Sequence, residues 1–490
     1  MRIFISFILV FLFLSSCSNE EETSKNNISS ADWVQKGTKF CSNSNDVIAF
    51  GAINLEQLLS KGIYKSELGQ SGLLPISMID DYKKVLFTEL PFYYTVYAKP
   101  ELTKLPRITI LARHKNRERL IKTLKKDLSI NKRSTAGALE ILFFDRFTIG
   151  IGPSNLVLMI HDRISEKEII DSIEKSFEAL ESKSENQKTR EILEESKDLS
   201  LGVNIGNIQD MAMQTLLKTN TSSQIFDSKI AIHLSFKDGK IEIENKNYLS
   251  DEILAWGILE ENSKVMLSKL GAGIPAAAFL ANINVSALED LKEKYLENGI
   301  ANTLQDSGLD QSLLDLIPNE LVVIEALLAK DGIQSYTDGK LALAAYSSDK
   351  IHTEYSAFLG IGTNLAPVLK TELEPITGLF GEVTLTDSSL AIYTSSNNGA
   401  QDQSSLLRLS PDLNELGSAP LSGFIDFDLL PLEESLIKES KPIVALFSKG
   451  ILNVNTTSSS IIVTMHDTKT NALTQICNTI PGIIIGSIFQ

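Results

Sequence analysis

The chain has 490 residues, 43% hydrophobic and 22% charged, an ordinary globular composition with room for two to four domains of about 100 to 200 residues each. Its 62 acidic residues outnumber its 46 basic ones, giving a formal net charge of −16. That sign argues against nucleic acid as a partner and against electrostatic adhesion to anionic lipid, because both are themselves negative.

Arg2 precedes an apolar run, Ile3 to Leu14, interrupted only by Ser6 and followed by Ser15-Ser16-Cys17. A positive start, a short hydrophobic run and small residues before a cut are what an export signal requires, and a run of 12 residues is too short to span a bilayer. The stretch Leu14-Ser15-Ser16-Cys17 resembles the lipobox of bacterial lipoproteins, whose cysteine becomes the acylated new N-terminus. The resemblance implies a signal peptide over 1–16 and acyl chains such as palmitate on Cys17, each buried CH₂ contributing roughly 0.8 kcal/mol to membrane attachment. An ordinary cleaved signal leaving Cys17 as a thiol is the alternative. Cutting before Cys17 removes Arg2 and takes the formal charge from −16 to −17. No later apolar stretch reaches the length of a membrane-spanning helix.

Residues 17–45 are polar with scattered apolar positions, Trp33 among them, and read as a flexible tether. The acidic run Glu20 to Glu22 resembles the signal some bacteria use to send lipoproteins to the outer face of the outer membrane; solvated linker is the alternative. The body then reads as two α+β halves, 46–262 and 263–490.

In the first half, Val47 to Ile53 is a small-residue strand, and Asn54 with Gln57 predicts a capping box on a helix carrying Leu55, Leu58 and Leu59. A helix near Met78 to Leu86, strands Phe92 to Ala98 and Arg107 to Ala112, and a helix capped by Asn116 follow. Ala138 to Phe144 and Phe147 to Gly152 read as a hairpin turning at Asp145-Arg146, with Leu156 to Ile160 as the next strand. Ser165 and Glu168 form a second capping box, and the charge-rich Glu181 to Asp198 reads as a solvated helix and connector. Leu199 to Asn207 is a strand running into a helix. Lys229 to Phe236 and Ile241 to Asn245 form a hairpin through Asp238-Gly239, which supplies the positive φ such turns need.

The second half opens with strand Ala276 to Ile283, cap Asn284 and a helix from Val285. Strands Leu321 to Leu328 and Lys340 to Tyr346 flank turns at Asp331-Gly332 and Asp338-Gly339. Gly423 to Asp428, Ile461 to Met465, a short helix and the apolar Ile480 to Gly486 complete it. Four copies of a small apolar strand, a polar junction and a helix thus stand at Asn54, Gly206, Asn284 and Asp428. The first and third are 230 apart and the second and fourth 222, which predicts two pseudo-repeated halves built on antiparallel sheets. Helix capping explains the polar junctions, with a binding role as the alternative.

Chemistry-bearing patterns are sparse. If Cys17 carries lipid, Cys41 and Cys477 either pair in an oxidising compartment or remain separate thiols. The five histidines are scattered without metal-ligand spacing, so neither a metal nor a cofactor is expected. Gly150-Ile151-Gly152 and Gly360-Ile361-Gly362 lack the remainder of a phosphate loop, no Gly-x-Ser-x-Gly elbow occurs, and Asp426 with Asp428 lacks a calcium loop. Strand alternation in Phe92 to Tyr97 sends Tyr93 and Tyr97 to one face, expected exposed, as a candidate ligand platform.

With its lipobox, tether, Val47-to-Leu59 opening and repeated strand-cap-helix units, the chain resembles a family of large bacterial cell-envelope lipoproteins of unknown function. The resemblance implies a non-enzymatic, outer-membrane-anchored protein that binds or organises another envelope component, with the membrane, through acyl chains on Cys17, and an envelope protein as its partners. The alternatives are an accessory carrier or subunit for transport or assembly of envelope material, working through a groove between the halves, and a hydrolase.

Overall fold

The computed structural model describes residues 29–42, 46–66, 76–97, 106–161, 164–182, 185–208, 228–249, 257–259, 261–270, 274–295, 332–347, 353–373, 382–393, 415–430 and 441–479. The signal 1–16, Cys17, the acidic run Glu20 to Glu22, strand Leu321 to Leu328 and the apolar 480–486 lie outside the described residues. The chain forms two units: unit 1 runs to Tyr248 and includes the segment from Asp467 onward, and unit 2 spans Leu249–His466.

The first described element corrects the tether. Ser29 caps helix α1 (Ser30–Cys41), its side chain accepting from Asp32 N at 3.0 Å. Trp33, Gly37, Phe40 and Cys41 recur at helical spacing and are all buried, Trp33 and Phe40 to 0% exposure. Trp33, Phe40 and Cys41, which look scattered in the sequence, therefore share one stripe.

Unit 1 continues with β1 (Val47–Ile53), α2 (Leu55–Lys61), α3 (Ile76–Val85), β2 (Phe92–Tyr97), β3 (Arg107–Arg113) and α4 (Arg117–Asp127). Then come β4 (Lys132–Ala136), β5 (Leu139–Phe143), β6 (Phe147–Ile151), β7 (Asn155–Ile160), α5 (Glu166–Glu181), α6 (Gln187–Glu194), β8 (Leu199–Asn204), β9 (Lys229–Lys237) and β10 (Lys240–Tyr248). The strands pair antiparallel throughout in the order β4-β5-β6-β7-β3-β2-β1-β8-β9-β10.

Both faces of the central strands are covered, which is why β1 reads as a continuous apolar run rather than an alternating one. On one face Phe50, Ala52, Tyr93 and Tyr97 join Trp33 and Phe40 of α1 and Ile192 and Leu193 of α6. On the other, Ile53, Phe92 and Ile110 pack with Tyr82 and Val85 of α3 and Leu120 and Leu124 of α4. The segment Glu181 to Asp198 is thus helical as expected but not wholly solvated, because Ile192, Leu193 and Asp198 are buried.

The Asn116 cap, the Ser165–Glu168 capping box and the Asp238-Gly239 turn, with Gly239 at φ 65°, all form. Asn54 makes no cap hydrogen bond. Its side-chain amide donates to Lys197 O and its backbone N to Asp198 O at 3.0 Å, so it ties the end of β1 to the approach to β8.

The unit boundary falls after Tyr248 rather than after 262, and the chain end returns to unit 1. Gly239 N donates to Thr470 O at 3.0 Å, the Asn471 amide donates to Phe236 O at 3.0 Å, and the Thr474 hydroxyl donates to Lys61 O. A helix over residues 472–479 follows on this attachment.

Unit 2 contains a 3₁₀ turn (Lys264–Lys269), β11 (Ala277–Asn282), α7 (Val285–Tyr295), α8 (Gly332–Tyr336), β12 (Thr337–Ser347), β13 (Thr353–Ile361) and α9 (Leu365–Leu373). It ends with β14 (Glu382–Leu385), β15 (Ser389–Tyr393), β16 (Leu421–Asp426), α10 (Lys441–Val444), β17 (Phe447–Val454) and β18 (Ser458–Met465). Its antiparallel order is β14-β15-β13-β12-β11-β16-β17-β18. Unit 1 contains the same order as β6-β7-β3-β2-β1-β8-β9-β10, with the β4–β5 hairpin as an addition. In this register Asn54 corresponds to Asn282, whose N donates to Pro420 O, and not to Asn284. Asp338-Gly339 is no hairpin turn: Gly339, at φ 80°, lies within β12 where its register with β13 shifts.

One face of the unit 2 sheet packs Leu280, Ala342, Ala344, Phe358 and Phe424 against Met266, Leu267 and Leu270. Across the other runs an apolar row, Ile461, Leu452, Gly423, Phe279, Leu343, Ala357 and Ile392, in successive cross-strand register. None of the seven is buried, and Leu343 is 40% exposed in the middle of the sheet.

Replacing Trp33 by Ala should lower the stability of unit 1 by about 3–5 kcal/mol, the cost of emptying a fully buried aromatic site. Urea unfolding read by a probe in unit 1 checks this; an unchanged midpoint would mean that 30–41 is tether after all.

Candidate functional site

The residues singled out from sequence do not converge. Tyr93 and Tyr97 are buried, at 0% and 5% exposure, and form part of the unit 1 core rather than a ligand platform. The reason is α1: the Trp33 and Tyr93 ring centroids lie 5.7 Å apart, and a Cβ on Gly37 would collide with the Tyr93 ring. Trp33 Nε1 donates to Pro91 O at 2.8 Å, fixing the helix to the chain just before β2. Burial raises the Tyr93 phenol above its usual range, so it stays neutral.

Cys41 and Cys477 are free thiols, both buried, so the candidate disulfide is not formed. Cys41 points its Sγ toward Tyr94 O at 3.7 Å on the inner side of α1, and Cys477 sits on the terminal helix. Burial pushes the Cys41 thiol far up and the Cys477 thiol up to about 11.

The four strand-to-helix junctions hold the backbone together. The side-chain amide of Asn207, next to Gly206, and that of Asn204 both donate to Val47 O at 2.7 Å. Asn284 Oδ1 accepts from Ala287 N at 3.1 Å and caps α7 as expected. At the fourth junction the accepting carboxylate is Asp426, which takes Asp428 N at 3.0 Å, while Asp428 faces His466 Nε2 at 3.3 Å. Among the described residues no three His, Cys, Asp or Glu side chains gather in a metal-holding group.

A cleft of about 410 Å³ opens in unit 2 at the third junction, within the size range of small-molecule sites. Glu261, Asn282 and Ser286 line it with Gln334, Asp338 and Lys340. Several of its polar groups are already engaged: Lys340 Nζ meets Asp338 at 2.8 Å, and the Asn282 amide donates to Glu261 at 3.4 Å and to Asn262 O at 3.0 Å. Gly339 is required here because its φ is 80° and a Cβ would strike Ile283 O. The cleft offers hydrogen-bonding groups for a polar, hydrated ligand.

Two polar arrangements were not read from the sequence. Asp198 has a fully buried carboxylate that accepts from Lys61 Nζ at 2.6 Å and from Phe236 N at 2.7 Å. Ser200 Oγ lies 2.9 Å from His233 Nδ1, with both residues buried. Neither partner pair is close in sequence; only the facing register of β8 and β9 joins Ser200 to His233. Ser200 meets Nδ1 inside the sheet, which is not the exposed nucleophile of a hydrolase.

No protein-family profile matches the chain, and no curated protein matches it. Among solved structures, three crystal forms of TP0453 align. Form III is 11% identical with a TM-score of 0.25, covering 44% of this chain and 80% of that one. Form IV is 10% identical with a TM-score of 0.25, covering 43% and 79%, and form I is 9% identical with a TM-score of 0.22, covering 45% and 80%. These scores are too low to relate the folds.

In protein carrying Cys17→Ser, Cys41 and Cys477 should resist iodoacetamide under native conditions and react fully in denaturant. Equal electrophoretic mobility with and without reductant is the accompanying expectation; faster migration without reductant would restore the bridge.

Proposed function

We propose that the chain is an envelope lipoprotein, anchored in the outer membrane by acyl chains on Cys17, whose body binds another envelope component without catalysing a reaction. The observation that carries this reading is Arg2, the apolar run to Leu14 and Ser15-Ser16-Cys17 in immediate succession. The anchor works through lipid, since the cleaved chain, at a formal −17, has no net electrostatic attraction to anionic lipid. The binding role draws support from the apolar row of unit 2, where Leu343 and Ile461 are 40% and 36% exposed, since contiguous exposed apolar surface marks interaction sites. The shared strand order of the two units supports the further view that they arose by duplication of one.

Metabolic labelling with an alkyne fatty acid, followed by mass spectrometry of the natively produced protein, tests the anchor. Label is expected on Cys17 and should disappear in Cys17→Ser, which should also leave the membrane fraction. An unmodified thiol at Cys17 in the wild-type protein would overturn the proposal.

A further inference from the structure

Ser200 on β8 and His233 on β9 stand directly opposite each other, and Glu244 on β10 is opposite His233 on its other side. Ser200 Oγ accepts from Lys197 N at 3.1 Å and lies 2.9 Å from His233 Nδ1, with its own hydroxyl proton available for that contact. With Ser200 as the donor in that contact, the neutral ring carries its proton on Nε2, an atom that is buried and has no hydrogen-bond partner. The link sits where the chain leaves α6 for β8. Glu195 caps the end of α6 and pairs with Lys246 of β10 at 2.5 Å, and Lys197 follows before Asp198 binds Lys61 and Phe236 N. The charged groups around the imidazole are thus Glu195 and Lys197 after α6 and Glu244 and Lys246 on β10.

We propose that His233 is an acid-operated latch: a proton added at Nδ1 displaces the Ser200 hydroxyl proton from that contact and releases residues 195–200 together with α6. The protonated ring presents two N–H donors. Ser200 Oγ, already accepting from Lys197 N, must then accept again while its own hydrogen loses its acceptor. Burial lowers the His233 pKa below the ordinary 6.5, a shift that Lys197 and Lys246 reinforce and Glu195 and Glu244 oppose. The opened form consequently binds more protons than the latched form. The latch is at full strength above the ordinary histidine pKa and weakens as pH falls below it.

Hydrogen exchange of the full chain, corrected for the intrinsic pH dependence of amide exchange, tests this at about pH 7.5 and about pH 5.5. Segments 187–204 and 229–248 should exchange several-fold faster at the lower pH. His233→Gln should bring the ratio close to one, whereas His114→Gln, at the other buried histidine of unit 1, should leave the acid response of these segments in place. A wild-type ratio of one, or an undiminished response in His233→Gln, would overturn the latch. If His233→Gln does not fold, the wild-type ring titration by NMR decides: a midpoint below 6.5 that tracks the exchange supports the proposal, and one at or above 6.5 overturns it.

Discussion

The fold of unit 1 rests on a sheet that must be covered twice. Phe50 and Tyr93 project to one side of β1 and β2 while Ile53 and Phe92 project to the other, and all four are buried. At roughly 25 cal/mol per Å² of apolar surface, leaving either side wet would cost more than a marginally stable domain can spare. Helices α3 and α4 supply one cover from within the run of strands. The other is completed by α1, recruited from ahead of the first strand, and by α5 and α6 from behind the seventh. Gly37, where a Cβ would collide with the Tyr93 ring, lets α1 lie close against the sheet.

Local signals were legible wherever the chemistry was local. Ser165 with Glu168, Asn116 ahead of Leu120 and Leu124, and Asp238-Gly239 between two β runs each act within a few residues, and each forms as read. The wide spacing of the repeated junctions likewise corresponds to a shared strand order, although strand register moves the partner of Asn54 from Asn284 to Asn282. What was not legible depended on packing at a distance. Alternation correctly placed Tyr93 and Tyr97 on one face of β2, but it could not say that a helix some fifty residues earlier would lie on them. Asn54 has good capping chemistry, yet the carbonyls of Lys197 and Asp198 claim it instead. The stripe in α1 was readable in principle: Trp33, Gly37, Phe40 and Cys41 keep helical period inside a polar stretch, and polarity outweighed period.

The candidate site was less legible than the fold, because its members meet only through sheet register. Ser200 and His233 carry no mutual spacing that a motif would recognise, and the buried Asp198 sits in a charge-rich run that resembles solvated linker. The two units also differ in how completely their sheets are clothed. Unit 1 has helices against both faces, whereas in unit 2 the described residues leave Leu343 and its cross-strand neighbours partly open. One strand order therefore serves two surface characters, one closed and one suited to contact.

The return of the chain end to unit 1 bears on the order of assembly. Asn471 and Thr474 complete contacts with Phe236 and Lys61, yet they are synthesised only after all of unit 2. Unit 2 is continuous in sequence, and all its described strands precede that moment. The contacts of Asn471 and Thr474 can therefore form only after every described strand of both units has been synthesised.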